Sequence, residues 1–451
     1  MHFITSGGNR LITLSLCLLF VFVACSSEKL SGPSNSPPRI ISDSTVYATE
    51  DERFSFAPAF IDADGPDTIV AYQNIPSWLS SIGDSLIGTP GEGISGTGFV
   101  VIVSDSKAAD TLQVTLIVTP VNDSPVITSK DSTEAAGGIF YSYRATFVDA
   151  DGPQGFIEFR NYPSWLTVGS DSLFGIPPDG VFSTNFVVVV SDGFLSDTQS
   201  VLIETTPCIV VYGDTRTGHD QHRQLVSLIR QNKPSAIFHV GDLVNDGTLQ
   251  SDWDIFNSIV AEMLSESEFY PALGNHEKQS PLYFSNFDLP GNEQWYSVET
   301  NRTHFTILNT CVTTGPASEQ YKWLEADLAS VSEAIEFIVA VFHHPPYSTG
   351  AHPEDEMQLR QTLVPLFEQY GVDICFTGHD HDYERSFCGG IYYIVTGGGG
   401  APLRDQTRTH PCSQLFVKQY EFCKLSMVDN RLVVKVFDIN SQLIDQFEIG
   451  H

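Results

Sequence analysis

Basic residues are the scarce charged class in this chain of 451 residues. Only 23 Lys and Arg stand against 55 Asp and Glu, giving a formal net charge of −32. Such a surface repels phosphate backbones and argues against nucleic acid as a partner. No Cys-x-x-Cys pair occurs among the eight cysteines, so nothing in their spacing suggests a structural zinc module. The N-terminal apolar run "LITLSLCLLFVFVA", residues 11–24, is too short to span a bilayer comfortably. Hydrophobic content of 41% is ordinary for globular protein and leaves disorder to short linkers. The length exceeds what one core can hold and allows about three domains.

The first 24 residues read as an export signal, with Arg10 as the basic flank of the apolar run. The run ends in "FVAC", which resembles the bacterial lipoprotein signal. That resemblance implies a lipidated Cys25 as the membrane anchor, at the cell envelope or surface; a plain secretion signal cleaved later is the competing reading. Residues 25–36, polar and rich in Pro, Gly and Ser, read as a flexible tether. Cys17 and Cys25 fall in the signal region, leaving Cys208, Cys311, Cys375, Cys388, Cys412 and Cys423. In an exported chain these permit disulfides, and Cys388, Cys412 and Cys423, close in sequence, are expected to include one.

Two stretches then align without a gap. "FIDADGPDTIVAYQNIPSWLSSIGDSLIGTP" recurs as "FVDADGPQGFIEFRNYPSWLTVGSDSLFGIP", so that Asp62 matches Asp149 and Trp78 matches Trp165, 87 positions on. Short β-branched and aromatic runs punctuated by Gly, Pro, Asn and Asp predict two β-sandwiches, at 37–121 and 122–206, with the tryptophans as core anchors. Over residues 37–206 the units resemble the cadherin-like and Ig-like repeats of bacterial surface proteins. The resemblance implies calcium in the repeats, near "DADG" and around Asn122 and Asp123 of "VNDSP", and contacts to surface glycan or protein. Asp-Gly turns also form without any metal.

From residue 207 to 451 apolar strands alternate with amphipathic helices, an α/β pattern with its active-site loops expected at strand carboxyl ends. Five of those strands finish in metal-ligand residue types. "CIVVYGD" ends in Asp214 and "AIFHVGD" in Asp242. "FYPALGNHE" delivers Asn275 and His276, "FIVAVFHHPPY" delivers His343 and His344, and "VDICFTGHDH" delivers His379 and His381. Imidazole and carboxylate donors suit iron, zinc or manganese. Two adjacent ions joined by a bridging carboxylate would clamp a phosphoryl group and activate a water.

The order GD, GD, GNHE, H, GHxH resembles the calcineurin-like metallophosphoesterases, and "HHPPY" with "GHDHDYER" resembles their purple acid phosphatase branch. The resemblance covers about residues 209–448 and implies two mixed sheets packed face to face with helices outside. It implies a two-ion centre bridged by Asp242, with Asn275, His343 and His379 on one ion and Asp214 and His381 on the other. It also implies that His276 contacts the phosphate and that His352 protonates a leaving alkoxide. His344 reads as structural, and Glu384 with Arg385 as a supporting ion pair. The function implied is an exported, lipid-anchored phosphomonoesterase. A phosphodiesterase or nucleotide hydrolase of the same fold, or a catalytically weakened surface scaffold, is the alternative.

The chain departs from the family at both usual positions of a further donor, which hold Arg216 and Asn245. A guanidinium has no lone pair to offer a metal, but it can clamp a phosphate oxygen. The missing donor is sought in the next loop or helical turn, where His219 and His222 are available and His222 is favoured. Otherwise one ion is held only by Asp214, Asp242, His381 and water.

Overall fold

A computed structural model describes residues 34–65, 67–181 and 183–450, so the signal, Cys25 and most of the tether lie outside the described residues. No helix among them is long and apolar enough to cross a membrane. The chain divides into two compact units, one ending at Asn122 and the other beginning at Asp123.

In the first unit a four-stranded sheet runs Thr45–Thr49, Ala109–Thr119, Gly96–Ser104, Ile69–Gln73, and a three-stranded sheet runs Phe54–Phe56, Ser85–Gly88, Leu79–Ile82. Alternation decides which face is buried. Phe99, Val101 and Val103 point inward from one long strand and Val114 and Leu116 from its neighbour, all five without exposed surface. Trp78 does not hold this core as its sequence suggests. It is half-buried at the edge, edge-on to Phe54 with ring centroids 6.0 Å apart, while Phe99 fills the centre.

The second unit opens with the same arrangement. Its strands begin at Ser132, Tyr141, Phe156, Leu166, Ser172 and Ser196, each 87 positions after its counterpart at Thr45, Phe54, Ile69, Leu79, Ser85 and Ala109. Phe186 takes the place of Phe99, and Trp165 again lies at the rim, edge-on to Tyr141 at 5.6 Å. In "DADG", Asp62 accepts from the Asp64 amide and Asp149 from the Asp151 amide, both at 3.1 Å, and Asp151 in turn accepts the amide of Asp123 at 2.6 Å. The first two are side-chain turns of the kind aspartate makes on its own.

The rest of the second unit is the α/β domain. A six-stranded sheet runs Glu268–Pro271, Ala236–His239, Ile209–Tyr212, Glu421–Val428, Arg431–Asp438, Leu443–Gly450. The first three strands are parallel and the last three are joined as antiparallel hairpins. A seven-stranded sheet runs Tyr296–Thr300, Thr303–Ile307, Phe337–Val341, Ile374–Thr377, Ile391–Thr396, Tyr383–Cys388, Ser413–Val417. The sheets share one core, in which Phe238 stacks on Phe305 at 4.0 Å. Helices His219–Gln231 and Gln250–Glu266 cover the first sheet, and Glu319–Ala329 and Val364–Tyr370 cover the second. Cys388 and Cys412 form a disulfide, while Cys423 is free and buried.

The second sandwich is fastened to this domain by polar contacts. Arg302 forks onto Glu134 at 2.8 and 2.9 Å, Lys424 pairs with Asp179, and Lys435 donates to the Gly138 carbonyl at 2.7 Å. Glu384 and Arg385, expected to pair with each other, do not. As neighbours on one strand they point to opposite faces. Glu384 accepts from Thr349 at 2.6 and 2.9 Å and from Ser413 at 2.5 Å, whereas Arg385 pairs with Asp445 at 2.7 Å.

Glu421 is fully buried behind the site, both oxygens 3.0 Å from the Thr396 hydroxyl, and burial pushes its carboxyl up to about 8. In the unfolded chain a glutamate ionises at about 4.3. Between those values the folded protein keeps a proton that the unfolded chain has lost, so stability falls as pH rises, by at most about 1.4 kcal/mol per pH unit. Glu421→Gln, neutral at every pH, should therefore show a smaller drop in Tm between pH 5 and pH 8 than the parent. An equal drop would place the slope on other groups.

Candidate metal centre

Asp214 lies two residues beyond Ile209–Tyr212, Asp242 three beyond Ala236–His239, and Asn275 and His276 follow Glu268–Pro271. From the other sheet, His343 follows Phe337–Val341, and His379 and His381 follow Ile374–Thr377. The parallel strands of both sheets therefore deliver their ends to one place. The turns are tight. Asp214, Asp242 and His379 have φ of +57°, +56° and +70°, a region costing about 1–3 kcal/mol for such residues. Gly378 permits the approach, since a Cβ there would lie 2.2 Å from Asp214 Oδ2.

Asp214 and Asp242 are 0% and 2% exposed, and their ligand atoms lie within 4.8 Å of one another and of His343. Burial and the neighbouring Asp242 push the Asp214 carboxyl well above the carboxylate range, and burial also raises Asp242. Two buried carboxylates that resist ionisation are short of positive charge, and Asp214 Oδ1 has no hydrogen-bond partner.

The imidazoles are neutral and aimed. His343 donates from Nδ1 to the Val240 carbonyl at 2.9 Å, which leaves the Nε2 lone pair 3.4 Å from Asp242 Oδ1 and 3.0 Å from Asn275 Oδ1. His381 likewise donates from Nδ1 to the Pro402 carbonyl at 2.8 Å, leaving Nε2 3.6 Å from Asp214 Oδ1. Burial holds His343 well below, and His381 down at about 4. Lone pairs that face carboxylate oxygens in the dry interior call for a cation between them. The donor set of Asp242, Asn275 and His343 fits a transition-metal ion on this ground, while His379 Nε2 lies 3.2 Å from Glu356 Oε2.

Around these donors stand further groups, of which Glu277 and Asp380 have no role in the motif. Glu277, fully buried, accepts the amides of Asp242, Leu243 and Gly274 at 2.9, 2.8 and 2.7 Å and ties two ligand loops together. Burial and Asp242 push it up to about 8. Asp380, between the two histidines, accepts from Ser348, Ala351 and His352 at 2.6, 2.9 and 3.0 Å. His352 is thereby brought to the site, its half-buried ring 3.7 Å from that of His379. His276 donates from Nδ1 to the Asn245 carbonyl at 2.6 Å, placing Nε2 3.9 Å from Asp242 Oδ2. Arg216 reaches Asp242 Oδ2 and His381 Nε2, both at 3.5 Å. His344 Nδ1 lies 2.8 Å from the Thr310 hydroxyl, and its ring offers a ligand atom within 4.8 Å of those of His343 and His379.

His222 is not brought to the carboxylates. Its ring faces the core, Nε2 3.2 Å from the Tyr212 hydroxyl and stacked on Phe256 at 5.8 Å, and burial lowers it to about 3. The helix phase explains this: His222 lies on the same face as the buried Leu225, Val226 and Ile229.

All these donors fall within a match to the calcineurin-like phosphoesterase family model, which spans residues 194–383. The second unit thus carries a calcineurin-like metallophosphoesterase domain. Its relatives are purple acid phosphatases. Purple acid phosphatase 15 of Arabidopsis thaliana is 32% identical over 176 residues, covering 34% of this chain and 33% of that protein. Purple acid phosphatase 23 of the same plant is 27% identical over 251 residues, covering 50% and 54%. The chain thus spans between a third and just over half of the length of these relatives. In fold, a purple acid phosphatase from yellow lupin (Lupinus luteus) seeds superposes with a TM-score of 0.50 at 16% identity, over 92% of this chain and 96% of that one.

His222→Ala tests the core assignment. The variant should lose about 2 kcal/mol or more of stability, from a cavity beside Phe256 and a stranded Tyr212 hydroxyl. Its affinity for manganese or zinc, titrated into metal-free protein, should match the parent's. A tenfold loss at any site would make it a ligand.

Proposed function

We propose that this protein is an exported phosphomonoesterase whose chemistry runs on a transition-metal centre in the second unit. The observation that carries the reading is the convergence of two buried carboxylates and aimed imidazole lone pairs, beside a guanidinium, at the ends of five strands. Asp242, Asn275, His343 and His379 would hold one ion of the iron, zinc or manganese class. The relatives' family implies a second, for which Asp214, Asp242 and His381 offer three donors. A bound ion supplies Lewis acidity toward a phosphoryl oxygen and an attacking water.

The chain's own groups do the rest. Arg216 meets phosphoryl oxygens with a fixed positive charge and donors to spare. His276, fixed through Nδ1, presents Nε2 to the same space. His352, held over His379 by the Asp380 and Arg408 contacts to its backbone, is placed to give a proton to a leaving oxygen. Metal-loaded protein should hydrolyse 4-nitrophenyl phosphate, and Asp242→Ala should remove metal and turnover together. His352→Ala should cost about 100-fold on alkyl phosphates and far less on the nitrophenyl ester, whose leaving group needs no proton. Full metal loading without turnover on phosphomonoesters, phosphodiesters or nucleotides would favour a surface scaffold instead. Faster turnover of diesters or nucleotides would move the substrate class.

We also propose that Cys25 carries the lipid that anchors the chain at the bacterial cell envelope, because one acyl chain alone holds a protein only marginally and the lipoprotein modification adds more. Cys25→Ser should shift the protein from the membrane to the soluble fraction on centrifugation. Unchanged partitioning would remove the anchor.

A further inference from the structure

We propose that the centre binds a single metal ion and that the Arg216 guanidinium takes the place of a second. This rests on the metallophosphoesterase reading of the same residues. Ligands held at about 2.1 Å around a tetrahedral ion lie about 3.4 Å from one another. On one side of Asp242 the spacing is of that kind: His343 Nε2 is 3.4 Å from Asp242 Oδ1 and 3.0 Å from Asn275 Oδ1.

The other side is different. On this side stand Asp214 Oδ1, Asp242 Oδ2 and His381 Nε2, with His276 Nε2 farther off, 3.9 Å from Asp242 Oδ2, and Arg216 meets two of the first three. Its Nε lies 3.5 Å from Asp242 Oδ2 and its Nη2 lies 3.5 Å from His381 Nε2. The His381 Nδ1 proton is already given to the Pro402 carbonyl, so Nε2 offers the guanidinium its lone pair. Arg216 is turned inward, with 14% of its side chain exposed and Nε itself buried without a hydrogen-bond partner.

A guanidinium carries its charge at every working pH and has no lone pair, so it cannot join a coordination sphere. A dication on this side would have to share the concavity with it, which like charges at such range oppose. Neither Asn245 nor His222 completes the second position. Asn245 is exposed and gives its carbonyl to His276, and His222 is buried against Phe256. One dication and one guanidinium outweigh the Asp214 and Asp242 carboxylates by one charge. Arg216 then does with a fixed organic cation what a second ion would do with a bound one.

The test is metal stoichiometry and spin coupling, read without reference to turnover. Metal-free full-length protein is loaded with excess Mn(II), freed of unbound ion, and measured by elemental analysis and electron paramagnetic resonance. The parent should hold one ion per chain, with the hyperfine pattern of an isolated Mn(II). Arg216→His, which trades the cation for a donor, should hold two and show an exchange-coupled pattern. Asp214→Ala should keep the single ion of the parent, whereas His343→Ala should lose it, so the outcome does not hang on one variant folding. Two ions or a coupled spectrum in the parent would overturn the proposal, whatever the activity. A single ion in Arg216→His and in Arg216→Gly alike would also overturn it, since something other than the arginine would then be excluding the second. One ion with no hydrolysis of any phosphoester leaves the proposal standing and defeats the phosphoesterase reading instead.

Discussion

The loops at the strand ends of the α/β domain are arranged around the burial of Asp214 and Asp242. Two carboxylates removed from water within reach of each other are among the least tolerable arrangements in a folded chain unless positive charge joins them. The fold spends backbone strain at Asp214, Asp242 and His379 to bring them there, and covers them with glycines too small to clash. It then locks the approach with more buried acid, because Glu277 and Asp380 hold loop amides that would otherwise be free to move. A carboxylate accepting several amides is rigid, and rigidity is what a coordination site requires of its supports. The cost in charge is large, and cations confined to this place answer it.

Much of this was legible because strand ends advertise themselves. An apolar run that stops in Gly-Asp or Gly-His has no packing reason to carry a ligand type there, and five such endings in one α/β pattern could only converge at the carboxyl edge of the sheets. The repeat was legible for a similar reason: an ungapped match at 87 positions fixes strand register as well as strand identity, and the six paired strand starts keep that offset. The tryptophans misled because a large apolar side chain in a repeat looks central. In a thin sandwich the alternating Phe, Val and Leu of the long strands take the interior, and Trp is left at the rim.

The remaining misses share one cause, which is that direction is not written in a motif. His222 was sought at the site because of its nearness in sequence to Asp214, yet its spacing from Leu225, Val226 and Ile229 already put it on the buried face of the helix. Glu384 and Arg385 looked like a pair because they are adjacent and opposite in charge. Adjacent residues on a strand face away from each other, and each found its partner on its own side. Asp380 and Glu277 were passed over because they sit beside ligands and resemble them. What separates them is that each accepts three or more loop donors, where Asp214 and Asp242 each accept a single amide. That can be read only from coordinates.

Arg216 follows from the same logic of charge and direction. Arg216, two places after the first strand-end aspartate, points into the site, its Nε 3.5 Å from Asp242 Oδ2 and its Nη2 3.5 Å from His381 Nε2. A histidine in that position adds a neutral donor and leaves the carboxylates dependent on metal. An arginine adds charge directly, and that charge does not dissociate, titrate or exchange with solvent ions. The second side of the centre thereby becomes independent of metal supply, while its chemistry narrows from coordination to hydrogen bonding and electrostatic attraction. Coordination is then left to the remaining side, where His343 Nε2 faces both Asp242 Oδ1 and Asn275 Oδ1.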